Sequence, residues 1–110
     1  MVELRRYERV QFLGRLELSA GSDGPKLEAR SIDLGLGGVG AVTKAVLEVG
    51  QPITVTFFLR DARGGDVRDQ VAGRVIHFRA DFDVNTVGIE FLTPLSEAEH
   101  PRLVEKLMSL

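Results

Sequence analysis

The stretch Glu28-Ala29-Arg30-Ser31-Ile32-Asp33-Leu34-Gly35-Leu36-Gly37-Gly38-Val39-Gly40 decides the fold, because it reads in two incompatible ways. Residues 35–40 fit G-x-G-x-x-G, the phosphate-binding turn of a dinucleotide fold. A strand pattern precedes them, Ala41–Glu48 could be drawn as a helix, another strand follows, and Asp61 stands near that strand's end. Three observations reject this reading. The preceding strand carries Glu28, Arg30 and Asp33, whereas a central parallel strand is apolar on both faces. Ala41–Glu48 is short for a crossover helix and rich in β-branched residues. A chain of 110 residues is too short for a doubly wound sheet of two halves. In an antiparallel barrel the glycines have another use: a corner where the backbone turns sharply and a ligand can come close.

The flanking sequence supports the antiparallel reading. Val10, Phe12, Gly14, Leu16 and Leu18 recur at period two, with Gln11, Arg15 and Glu17 between them, the pattern of a half-buried strand. Gly21-Ser22-Asp23-Gly24-Pro25 is a turn by composition. Leu27, Ala29 and Ser31 give a second strand, and Val39, Ala41 and Thr43 a third. Ile53, Val55, Phe57 and Leu59 give a fourth after Gly50-Gln51-Pro52. Val71, Gly73, Val75 and His77 give a fifth, and Val87, Ile89 and Phe91 a sixth. The tail changes period. Ser96 with Glu99 reads as a capping box, and Leu103, Leu107 and Leu110 form an apolar stripe. Pro101 moves the expected start toward Glu99 or His100. The expectation is an all-β fold with a C-terminal helix, a six-stranded antiparallel barrel in one domain. Residues 1–9 form a flexible arginine segment, 10–93 the barrel and 96–110 the helix.

Composition excludes several functions. Hydrophobic residues make up 44% and charged residues 27%, ordinary for a globular protein. No cysteine is present, which removes disulfides, thiolate catalysis and cysteine-ligated zinc. The isolated His77 and His100 do not make a metal site. Asp81, Asp83 and Asn85 lack the glycine and distal glutamate of a calcium loop. No nucleophile elbow, Walker loop or paired-carboxylate arrangement is present, so no enzyme is expected. No apolar run reaches the roughly 18 residues of a membrane span. The N-terminus lacks a secretory apolar region, so a cytoplasmic location is expected. The net charge of −2 argues against DNA or RNA binding. A single-stranded nucleic-acid barrel would need exposed aromatic platforms, but most of the six Phe fall in the strand pattern as core.

One charge cluster stands out. Arg5, Arg6 and Arg9 fall within five residues. Arginines fork onto phosphates and purine edges, and the carboxylate of Asp33 can accept from guanine N–H groups. Together the two segments point to a guanine-nucleotide ligand.

The order and spacing of these segments resemble the PilZ domain family, whose signature is R-x-x-x-R followed by [D/N]-x-S-x-x-G. Here they stand as Arg5-x-x-x-Arg9 and Asp33-x-Gly35-x-x-Gly38. Gly88-Ile89-Glu90-Phe91 is similar to the family's closing pattern, and Val49-Gly50 to its approach to the fourth strand. The resemblance implies a bacterial receptor for the second messenger cyclic di-GMP (c-di-GMP), needing no other cofactor. It implies a ligand lying across the barrel's outer surface, with the arginine segment wrapping over it. The implied ligand-binding residues are Arg5, Arg6, Arg9, Asp33, Gly35, Gly37 and Gly38. Binding would order residues 1–10 and present a surface to an unidentified protein partner. The departure is Gly35, where the family has serine. One missing hydrogen bond costs about 0.5–1.5 kcal/mol, and a glycine there loosens the corner. The alternative is an adaptor of the same fold that no longer binds the ligand and acts through protein contacts in motility or signalling. The resemblance fixes neither the oligomeric state nor the number of ligand molecules, one or two.

Overall fold

The computed structural model describes residues 9–20, 24–61 and 63–109. Six strands form, β1 (Val10–Ser19), β2 (Lys26–Leu34), β3 (Gly38–Thr43), β4 (Pro52–Arg60), β5 (Asp66–Ala80) and β6 (Asn85–Phe91), followed by helix α1 (Pro101–Ser109). They close in the order β1-β2-β3-β6-β5-β4, and every neighbouring pair is antiparallel, including the β1–β4 seam. Closure removes both sheet edges. The barrel expected from the sequence is therefore the barrel observed.

The period-two residues fill its interior. Leu16, Leu18, Val39, Val55, Phe57, Val75, Val87 and Ile89 are fully buried. Phe57 stands between Phe12 and Phe91, at centroid distances of 6.5 and 6.3 Å in tilted and edge-on geometry. Edge-on contacts suit the ring quadrupoles. Between β3 and β4 the chain turns at Glu48–Gln51, with the Gln51 N–H donating to the Glu48 carbonyl (3.1 Å). Gly50 there has φ of 94°, the left-handed conformation that glycine adopts without penalty.

Alternation breaks at three bulges, and two of them matter for the outer surface. On β2, Ser31 pairs with Ala41 but Asp33 pairs with Gly40, so Ile32 is an extra residue. Without it Asp33 would follow Ala29 and Ser31 into the core. With it, Leu34 is buried and Asp33 faces outward, as expected when a one-residue slip exchanges faces. On β5, Ile76 is the extra residue between Val75 and His77. That slip turns His77 outward, ending the inward series expected of Val71, Gly73 and Val75. The third bulge lies on β1 between Gln11 and Gly14. There the buried Ser31 hydroxyl donates to the Phe12 carbonyl (2.6 Å), with the Gly14 carbonyl 3.3 Å away, satisfying a group that the distorted ladder leaves over.

The helix corrects one expectation. It spans Pro101–Ser109 and does not start at Ser96. Proline disfavours a helical residue before it and suits the first helical position. His100 is thus the N-cap, and its carbonyl accepts from Val104 N–H (3.1 Å). The Ser96 hydroxyl caps only the preceding turn, accepting from Glu99 N–H at 3.3 Å. Leu103 and Val104 are buried against the barrel core and Leu107 packs on it. The His100 ring nitrogen Nδ1 lies 2.8 Å from Asp69 Oδ1 on β5, which ties the helix start to the wall. Among the described residues no helix is long and apolar enough to cross a membrane.

Candidate functional site

Because β1 and β2 run antiparallel, with Gln11 opposite Asp33, the residue just before β1 stands beside the end of β2. That residue is Arg9. Its Nη1 lies 3.1 Å from Asp33 Oδ1, joining two motifs that are 24 residues apart. The same oxygen accepts the backbone N–H of Gly40, also at 3.1 Å. Asp33 Oδ2 accepts no hydrogen bond from another described residue. The two side chains are 34% and 38% exposed, so the pair contributes at most about 1 kcal/mol.

The glycines beneath this pair act by leaving space. A Cβ on Gly40 would stand 2.7 Å from Asp33 Oδ1 and 3.3 Å from Arg9 Nη1. A Cβ on Gly38 would meet the Ile89 carbonyl and come within 3.0 Å of Arg9 Nη2. Neither glycine has positive φ. These positions need close approach and use no left-handed backbone.

Gly35 and Gly37 lie in the β2–β3 connection. Gly35 N–H donates to Gly38 O (2.9 Å). Phe91 N–H donates to Gly37 O (2.8 Å) and Leu95 N–H to Leu36 O (2.8 Å). The corner is thus stitched to itself and to the chain leaving β6, despite the expected loosening at Gly35. A cleft of about 560 Å³ opens beside it, lined by Arg9, Gly37, Gly38, Arg74, Ile76 and Glu90 among others. Two other clefts of similar size contain no residue of either motif.

Arg9, Asp33, Gly38 and the connection holding Gly35 and Gly37 are therefore brought to one outer face. Arg5 and Arg6 lie outside the described residues. The sequence reading did not place Gly40, Gly88, Arg74 or Glu90 on this face. A signal existed for Gly40: Gly38-Val39-Gly40-Ala41 alternates glycine with buried apolar residues, the mark of a strand with no outward side chains. Among the described residues no cluster of three or more His, Cys, Asp or Glu could hold a metal.

No curated protein matches the sequence. Solved structures do. The PilZ domain with c-di-GMP of YcgR from Escherichia coli superimposes with a TM-score of 0.72 at 19% identity, over 96% of this chain and 90% of that one. The Bacillus subtilis inhibitor of motility (MotI/DgrA) gives 0.71 at 12% identity, over 96% of this chain and 52% of that one. Escherichia coli YcgR in complex with c-di-GMP gives 0.62 at 23% identity, over 96% and 46%. This chain thus spans about half the length of two of these neighbours. At such identities the likeness is one of fold. The PilZ domain family model matches residues 3–109, nearly the whole length, and the chain belongs to the PilZ domain family.

Proposed function

We propose that this domain binds cyclic di-GMP on the outer face of the barrel, and that it acts as a receptor and not as an enzyme. The observation that carries the reading is the Arg9–Asp33 pair standing over Gly38 and Gly40. Asp33 Oδ2 is oriented by the anchoring of its partner oxygen and accepts from the guanine N1–H and N2–H. Arg9 leaves Asp33 in part and forks onto a phosphate or onto guanine O6 and N7. Arg5 and Arg6 add charge from the preceding segment, and the glycines let the ligand approach the backbone. The solved complexes of YcgR with c-di-GMP are the fold-level support.

In this reading the ligand fixes residues 1–10 against the barrel and so builds a surface for a protein partner. Contacts made only in the bound state supply the required difference in affinity. Titration calorimetry on the purified chain tests it. Arg9→Ala removes a charge-assisted contact of about 1.5–3 kcal/mol, so affinity should fall roughly tenfold to a hundredfold. An affinity unchanged in both Arg9→Ala and Asp33→Ala would remove the site.

One observation, Gly35 in the place of the family's serine, favours a second reading: an adaptor that has lost the ligand and works by docking alone. Thermal melting separates the two. A ligand that binds only the folded state raises Tm, and no rise at saturating cyclic di-GMP would favour the adaptor.

A further inference from the structure

The cleft has a second wall that neither motif contains. Arg74 on β5 and Glu90 on β6 are cross-strand partners, both point outward, and both line the same cleft as Arg9 and Gly38. Neither forms an ion pair with another described residue. The floor between the two walls is backbone. Gly38 is opposite Glu90, and Gly40 is opposite Gly88. Gly88 is itself hemmed in, since a Cβ there would stand 3.2 Å from His77 Cβ. Three outward positions on two adjacent strands thus carry no side chain.

An arginine and a carboxylate therefore stand on each side of this floor, Arg9 with Asp33 and Arg74 with Glu90. The two acids sit two strands apart and two residues along. At about 4.8 Å per strand and 3.4 Å per residue, their Cα atoms are roughly 12 Å apart. One purine does not reach both. A ligand with two identical purines joined through two phosphates does. Glu90 also constrains the second base. A carboxylate beside a dianionic ligand is repulsive unless it meets hydrogen-bond donors. Guanine offers N1–H and N2–H on one edge, whereas adenine offers an acceptor at N1 and no 2-amino group.

Building on the proposed cyclic di-GMP site, we propose that Arg74 and Glu90 form a second base station, in which Glu90 reads the donor edge of the second guanine and Arg74 holds the adjoining phosphate or stacks on the base. Selectivity for guanine over adenine at that base then resides in Glu90. A purely structural role would make Arg74 and Glu90 an ordinary cross-strand charge pair, with an effect on folding and none on ligand preference.

The test is calorimetric titration of the full chain with cyclic di-GMP and, separately, cyclic di-AMP, for wild type, Glu90→Gln and Arg74→Met. The expected result is that both variants melt like wild type and bind cyclic di-GMP at least about tenfold more weakly. Glu90→Gln should in addition reduce the preference for cyclic di-GMP over cyclic di-AMP by a similar factor. If wild type binds cyclic di-GMP while both variants stay within twofold of it, with the same preference, the second station is overturned and the Arg9–Asp33 site stands. If wild type binds neither nucleotide, the second station falls together with the site on which it rests.

Discussion

Two outer faces of the barrel carry the same kinds of charged residue and put them to different uses. On the β1–β4–β5 face, Phe58 lies between two guanidinium groups, Arg15 at 4.4 Å and Arg68 at 5.3 Å from the ring centroid. Arg15 also meets Glu17 at 3.3 Å and Glu28 at 3.6 Å. Arg15 and Arg68 thus rest on an aromatic ring, and side chains cover the strands around them. On the β2–β3–β6 face the outward positions 38, 40 and 88 are glycine, so Arg9 and Asp33 stand above bare backbone. Arginine-rich composition is common to both faces. What separates them is the side chains omitted between the charges, and in the proposed function that room is what a planar ligand needs.

The largest effect should come from filling that room. Gly40→Val places a side chain where Asp33 Oδ1 and Arg9 now lie. Losing two charge-assisted contacts of about 1.5–3 kcal/mol each weakens cyclic di-GMP binding by roughly a hundredfold or more. Overpacking adds a stability cost of about 1–3 kcal/mol, which circular dichroism and melting would register separately. Affinity kept within threefold in a folded Gly40→Val protein would mean that the ligand does not rest on this floor.

A smaller change sharpens the comparison at the corner. Gly35→Ser restores the hydroxyl of the family pattern at a position with no left-handed backbone requirement. One added hydrogen bond of about 0.5–1.5 kcal/mol should tighten binding about two- to tenfold in the same calorimetric assay. Weaker binding would show that the stitched corner has no space for the side chain. The smallest effect belongs to the covered face. Arg15→Ala removes one exposed cation–π contact worth about 0.5–1 kcal/mol and should move the urea midpoint slightly. Cyclic di-GMP affinity should not change, and a fall of more than threefold would mean that the two faces are not independent.

Much of this was legible along the chain. Leu16, Leu18, Val55, Phe57, Val87 and Ile89 sit at period two in sequence and are all buried in the barrel, because alternation is a direct consequence of strand geometry. The order of the arginine segment and Asp33 was legible too. The bulges were not. Nothing local to Ile32 or Ile76 announces an extra residue, since each is an ordinary β-former whose exposure follows from what its neighbouring strands pair with. The helix start was misread because Ser96 and Glu99 have capping chemistry, while Pro101 fixes where the helix can begin.

By itself the sequence determined the barrel and pointed to Arg9 and Asp33 as candidate site residues. Both depend on short-range regularities: side chains alternating across a strand, and charged groups at fixed spacing in a recognisable order. The tertiary structure decided which way Asp33 faces, that Gly38, Gly40 and Gly88 share one surface, and that Arg74 and Glu90 close the far side of the cleft. These are matters of register between strands distant in the chain. A one-residue slip reverses the face of every residue beyond it, and only the paired backbone of the closed barrel fixes where the slip falls.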